Sequence, residues 1–231
     1  MLKVTTKRLN KFHRAIEEII FPELPRLSSR TDATNTPEFI QRLLELVSLR
    51  LVQIFDADDL APELDVIAKR VSAKNKRELQ RVIGVSARFA DASVGSLLDS
   101  FRAANVARIK SIPGQLLVEV TEILSAAEAP NLRVEVIRDQ IVERFNVSKS
   151  RAAVIARDQT ITLNAQIAKQ RQENLGIRQY IWTTSGDNRV RDDHSERDGE
   201  VFDWSNPPFD GHPGDAIQCR CTAFPVLPEL A

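Results

Sequence analysis

Apolar residues recur at helical spacing along most of this chain. Leu9, Phe12, Ile16 and Ile19 stand three or four apart, predicting a helix over residues 3–20 with one apolar stripe, stopped by Pro22. Residues 22–36, rich in Pro, Ser, Thr and Asn, read as a linker. Thr36-Pro37-Glu38 then offers an N-cap, a proline at the first helical position and an acid facing the helix dipole. Phe39, Leu43, Leu44, Val47, Leu51, Ile54 and Phe55 keep the period to about residue 56, on a face wide enough to predict burial against other helices. Asp58-Asp59 lead into a helix with Leu64, Ile67, Ala68 and Val71, and another runs from Asn75 to Ile83, where Gly84 is a stop. Residues 93–110 and 114–128 predict two helices parted by Ile112-Pro113-Gly114. Val134, Ile137, Ile141 and Phe145 mark a helix over 132–145. Asn146-Val147-Ser148 predicts a turn, with Ser148 capping a long helix that ends near Leu175 and Gly176.

After Gly176 the period changes. Ile177–Thr184 is β-branched and aromatic, a strand; Ser185-Gly186-Asp187-Asn188 is turn chemistry; Glu200-Val201-Phe202 and Cys219–Phe224 predict two more strands. The fold class expected is therefore mainly α: a multi-helix N-terminal body whose long helix leads into a small, loop-rich α+β C-terminal module. Three segments follow, an N-terminal helical region over 1–112, a second over 113–175, and the module over 176–231.

Charge sharpens this division. The chain has 231 residues and equal basic and acidic counts of 32, so no global attraction to nucleic acid or membrane is expected. Residues 1–175 carry +5, however, and residues 176–231 carry −5, together with both tryptophans and five of the eight glycines. No run of about 18 apolar residues is present, so no membrane span is expected. The charged N-terminus does not read as a signal peptide, and two cysteines are too few for a secreted disulfide scaffold; synthesis in the cytoplasm is expected. The basic residues Lys69, Arg70, Lys74, Lys76, Arg77 and Arg81 could meet phosphates, but Glu63, Asp65 and Glu78 among them favour a solvated helix face. His13 reads as a surface or boundary residue, and Trp182 and Trp204 as core of the module.

Candidate chemistry gathers in the module. His194, Asp198, His212, Cys219 and Cys221 are ligand types suited to zinc. One reading is a structural zinc on Cys219, Cys221 and His194, with His212 or Asp198 as fourth ligand. The other is a reduced cysteine pair beside a histidine hydrogen-bonded to Asp198. Arg189, Arg191 and His194, with Asp192, Asp193 and Glu196 nearby, allow a metal-dependent nuclease reading in which His194 is the general base. The alternative is a salt-bridged loop whose arginines tie the module to the helical body. Gly-rich phosphate loops, G-x-S-x-G and H-E-x-x-H are missing from the sequence, and no enzymatic turnover is expected.

Taken in order, the module is more specific than any pair within it. Ile181-Trp182-Thr183-Thr184, Ser185-Gly186-Asp187-Asn188, Arg189-Val190-Arg191 and His194 are followed by Arg197-Asp198-Gly199, Pro207-Pro208, Pro213-Gly214-Asp215 and Cys219-Arg220-Cys221. This series resembles the phage Mu protein F-like family of minor head, or head morphogenesis, proteins of tailed phages. Upstream, Asn146-Val147-Ser148, Arg151-Ala152, Ile155–Thr160 and Ala104–Pro113 extend the resemblance from about residue 100 to the end. Trp182, Arg189, Arg191, Gly199 and Arg220 are then motif residues, and the variable family loop before Pro-Gly favours Asp198 over His212 as a fourth ligand. Residues 126–134 lack a glycine that the family often has there. The resemblance implies a structural virion component, made in the host cytoplasm and placed in the capsid interior or at the portal vertex. Its implied partners are the portal, major capsid or scaffolding proteins, and phage DNA. With ten residues after Cys221, the toxin domains fused to some longer family members are expected to be absent.

Overall fold

The computed structural model describes residues 1–29, 36–84, 91–126 and 133–227. Six long or short helices lead to a small sheet: α1 (Leu2–Ile20), a 3-10 turn (Phe21–Glu23), α2 (Leu24–Ser29), α3 (Thr36–Ile54), α4 (Ala57–Ile83), α5 (Val94–Ala126) and α6 (Val134–Asn174). They are followed by β1 (Gln179–Thr183), α7 (Asp192–Glu196), β2 (Val201–Asp203) and β3 (Thr222–Pro225). The mainly α class and the small C-terminal sheet are as the periodicity predicts. Among the described residues, no helix is long and apolar enough to cross a membrane.

Three predicted breaks are not there. The stretch 57–83 is one helix with no gap between Val71 and Asn75, 94–126 is one helix through Pro113-Gly114, and 134–174 runs unbroken through Asn146-Val147-Ser148. Burial decides the latter two. In α5, Ile109, Ile112, Leu116, Val120 and Leu124 are all buried and continue one stripe across the proline. Burying such a side chain is worth about 1.5–3 kcal/mol, so several together exceed the roughly 3 kcal/mol cost of an internal proline. In α6 the buried stripe Ile141, Phe145, Ser148, Ala152, Ala156 passes through the predicted turn, so Ser148 packs inward instead of capping a new helix. The predicted stop holds, since α1 ends at Ile20, just before Pro22. It stands at the start of the 3-10 turn, where its missing N–H costs little, and α2 follows with Leu24 fully buried. Residues 30–35 of the predicted linker, and the glycine-less stretch 127–132, lie outside the described residues. The glycine stops hold: Gly84 and Gly176 take left-handed φ of 69° and 74°, and the Gly84 N–H donates to the Gln80 carbonyl at 3.0 Å.

Two compact units cut across the three predicted segments. One comprises residues 1–61 and 106–155, the other residues 62–105 and 156–231, so α4, α5 and α6 each contribute to both. In the first, α1 packs on α3, with Phe12 edge-on to Phe55 at 6.2 Å and His13 stacked on Phe145 at 4.0 Å. His13 is thus a half-buried boundary residue, and burial lowers its pKa despite Glu17 nearby. In the second, the antiparallel sheet has the order β2-β1-β3, with Tyr180 opposite Phe202 and Trp182 opposite Ala223. Of the basic residues on α4, Lys69 pairs with Asp65, Lys74 with Glu78 and Lys76 with Asp91.

The sheet module docks along one stripe of α6. The Asp158 carboxylate accepts from the Gln218 N–H at 2.7 Å, the Thr162 hydroxyl donates to the Gly214 carbonyl at 3.3 Å, and Lys169 lies over the Trp204 ring. Gln172 donates to the Ala223 carbonyl at 3.0 Å and accepts the Trp204 indole N–H at 3.1 Å. Residues 158, 162, 165, 169 and 172 are spaced four and three apart, one face of the helix. At 165 the fit is closest. Gly214 has φ of 94°, and a Cβ there would meet the Ala165 Cβ at 2.3 Å.

Candidate functional site

The alternation of β1 turns Tyr180 and Trp182 to the buried side and Gln179 and Thr183 to solvent. Trp204, Cys219 and Cys221 join them in one core, flanked by Val190, Phe202, Ala216 and Ala223. The unpredicted helix α7, a single turn in what reads as a charged loop, carries His194 into this core. Its ring is 2% exposed and edge-on to Trp182 at 5.1 Å.

His194 faces two kinds of partner. Its Nδ1 lies 3.4 Å from the Cys221 Sγ and 3.6 Å from the Cys219 Sγ. Its Nε2 donates to the Asp210 carboxylate at 2.7 Å, since a carboxylate only accepts. Arg197 donates to the other Asp210 oxygen at 2.7 Å and stacks over Trp182 at 5.0 Å. Burial alone would raise the Asp210 pKa, but the hydrogen bonds from His194 and Arg197 outweigh it and hold the carboxyl below its usual range.

Both cysteines are buried and free. They are not part of β3, which begins one residue later than Cys221, at Thr222, rather than at Cys219 as the sequence pattern predicts. Gln218 takes a left-handed φ of 57°, and the Cys219 N–H turns back to the Ala216 carbonyl at 2.9 Å. This turn brings both sulfurs to the same imidazole. The Cys219 thiol is pulled down by the hydrogen bond from Cys221, aided by the backbone N–H groups of Cys221 and Gly214 and by His194. Cys221 is pushed up, first by sharing its proton with Cys219 and then by burial.

Neither predicted fourth ligand joins this cluster. The Asp198 carboxylate accepts the Thr184 N–H at 2.7 Å, closing the turn after β1. His212 Nδ1 meets the Tyr180 hydroxyl at 2.9 Å, with its ring against Trp204. The residue hydrogen-bonded to His194 is Asp210, not Asp198, which sequence reasoning missed along with Arg197. Their partnership crosses from α7 to a loop, and no short spacing encodes it. Gly199 has φ of 83° and donates its N–H to the Trp182 carbonyl at 2.8 Å, so the Asp198-Gly199 pair serves the turn.

The motif arginines do not converge on His194 through any described contact. Arg191 donates to the Ile217 carbonyl at 2.7 Å and Arg220 pairs with Asp187 at 2.8 Å, while the Arg189 backbone N–H donates to the Asp187 carboxylate. The Arg191 and Arg220 bonds stay within the module; the ties to α6 described above come from Asp158, Thr162, Lys169 and Gln172. Asp193, His194 and Asp210 also lie close together, but Arg197 pairs with both carboxylates, at 3.6 and 2.7 Å, and supplies the positive charge there.

Residues 131–224 match the family described as phage Mu protein F like protein. An uncharacterized protein of Haemophilus influenzae is 32% identical over 191 residues, covering 78% of this chain and 43% of that protein. The chain thus spans less than half the length of that relative. No solved structure matches. The matched segment contains α6, β1, α7, β2, His194 and both cysteines.

Proposed function

From a chain whose residues 131–224 are phage Mu protein F-like, we propose a minor head protein of a tailed phage, a structural virion component associated with the portal or the capsid interior. Its work lies in procapsid assembly and in DNA packaging or ejection, with the portal, major capsid or scaffolding proteins as partners. The family match carries this reading, because the family points to phage head morphogenesis. Two physical features support it. His194 is buried with both ring nitrogens engaged, an arrangement that fixes a fold rather than one that receives a substrate. On α3, Leu46, Leu49 and Val52 are 46%, 62% and 66% exposed along one face, apolar surface suited to contact with other proteins.

Deleting the gene from its phage or prophage tests the proposal. Infectious titre should collapse with tails still made and heads defective, and the chain supplied from a plasmid should restore it. Normal titre without the gene would overturn the reading. The competing nuclease, centred on Arg189, Arg191 and His194, is tested on purified chain with plasmid DNA and magnesium or manganese. No cleavage is expected, and cleavage lost in His194→Ala would replace the head-protein reading.

A further inference from the structure

The chemistry of the buried His194–Cys219–Cys221 cluster is not required by a role in head assembly. We propose that His194 Nδ1, Cys219 Sγ and Cys221 Sγ together bind one zinc ion, with Asp210 orienting the imidazole from behind and the fourth position left to water. The ion would join α7 to the turn before β3, holding the module closed between His194 and Cys219, 25 positions apart.

Distance is the first support. Tetrahedral zinc, with bonds of about 2.3 Å to sulfur and about 2.0–2.1 Å to nitrogen, requires nitrogen-to-sulfur edges of about 3.5 Å. The two edges present are 3.4 and 3.6 Å, and all three ligand atoms lie within 4.8 Å of one another. The surroundings are the second support. A zinc-bound histidine donates its other N–H to a carboxylate or carbonyl, and here Nε2 donates to Asp210, itself held by Arg197. Zinc-bound thiolates need N–H donors, and Cys219 Sγ accepts the Cys221 N–H at 3.4 Å. The indole N–H of Trp182, in the same core as Cys221, is fully buried with no hydrogen-bond partner, a donor that a thiolate in this core would answer. A polar group is left unsatisfied in a core only at a cost, which a metal-bound Cys221 would remove. Access is the third. Cys221 lines a groove of about 510 Å³ together with Pro213, Thr222 and Phe224, giving the ion a route in.

This ligand set differs from the one read in the sequence, which placed Asp198 or His212 in the fourth position. Titration of the metal-free full chain with cobalt distinguishes them and tests the site. One cobalt per chain should bind, with sulfur-to-cobalt charge-transfer absorption and the visible bands of a four-coordinate ion, and zinc should displace it. Cys219→Ser and Cys221→Ser should each cut the charge-transfer intensity by half or more. Asp198→Asn should leave stoichiometry and affinity unchanged, whereas Asp210→Asn should keep the stoichiometry and weaken binding about 10–100-fold. Because His194→Ala also removes a buried ring packed on Trp182, the wild-type spectrum stands as the deciding measurement. Folded wild-type chain that shows no charge-transfer band, or whose two thiols react equally fast with and without zinc, overturns the proposal. So does loss of binding in Asp198→Asn.

Discussion

Arg171 is 2% exposed, and each side of its guanidinium is answered. Nε and Nη2 reach the same Asp91 oxygen at 3.0 and 2.8 Å, while Nη1 donates to the Ser72 carbonyl and the Asn75 side chain, each at 2.8 Å. Lys76 meets the other Asp91 oxygen. Arg171→Met fills similar volume but strands these acceptors, and should cost about 2–4 kcal/mol in urea unfolding, the upper end trimmed because Asp91 is partly solvated. The same network sets a pH dependence. Burial would raise the Asp91 pKa, but Lys76 and Arg171 prevail and lower it. A carboxyl whose folded pKa is depressed stabilises the protein above its unfolded value and loses that contribution as pH falls through the folded one. The urea midpoint should therefore drop on acidification below about pH 4, and drop less in Asp91→Asn. Glycines give a second residue-level contrast. Gly214→Ala drives a Cβ into Ala165 at a positive φ and should cost at least about 2 kcal/mol, whereas Gly186→Ala, equally left-handed but with open space around it, should cost about 1 kcal/mol. Equal losses in thermal melts would show that the approach to α6 is not tight.

At the scale of elements, α6 is both rod and docking rail, and Gln172 is where the two roles meet. It is 2% exposed and its amide bonds both Ala223 and Trp204. Gln172→Leu should destabilise the chain by about 2–3 kcal/mol through two orphaned buried groups, and red-shift the emission of Trp204 as the module loosens. Unchanged emission would mean that the sheet holds without the rail. Periodicity made the helices legible, because an apolar stripe three and four apart is local information. The breaks were misread for a related reason. Pro113-Gly114 and Asn146-Val147-Ser148 are local stop signals, and they lose to burial of Ile112, Leu116, Phe145 and Ser148, which only the assembled fold supplies. In the module, chemistry was legible by residue type: His194, Cys219 and Cys221 were picked out and do meet. Their supports were not. Asp210, Arg197 and the Gln218 turn act across loops, and α7 is too short to leave a period.

Across the whole molecule, charge and family agree on a division of labour. A basic helical majority carries +5 and the glycine-rich end carries −5, and the family match covers the latter with the helix that supports it. Each compact unit has its own buried core, Phe12 and Phe55 in one and Trp182 and Trp204 in the other. The setting proposed for this chain is the phage head. Quantitative mass spectrometry of purified procapsids and virions, made by the phage or prophage that encodes this chain, tests that most directly. Peptides of the chain should appear in both particles at a few copies per portal and be absent from isolated tails. Abundant chain in the lysate with none in either particle would contradict the account.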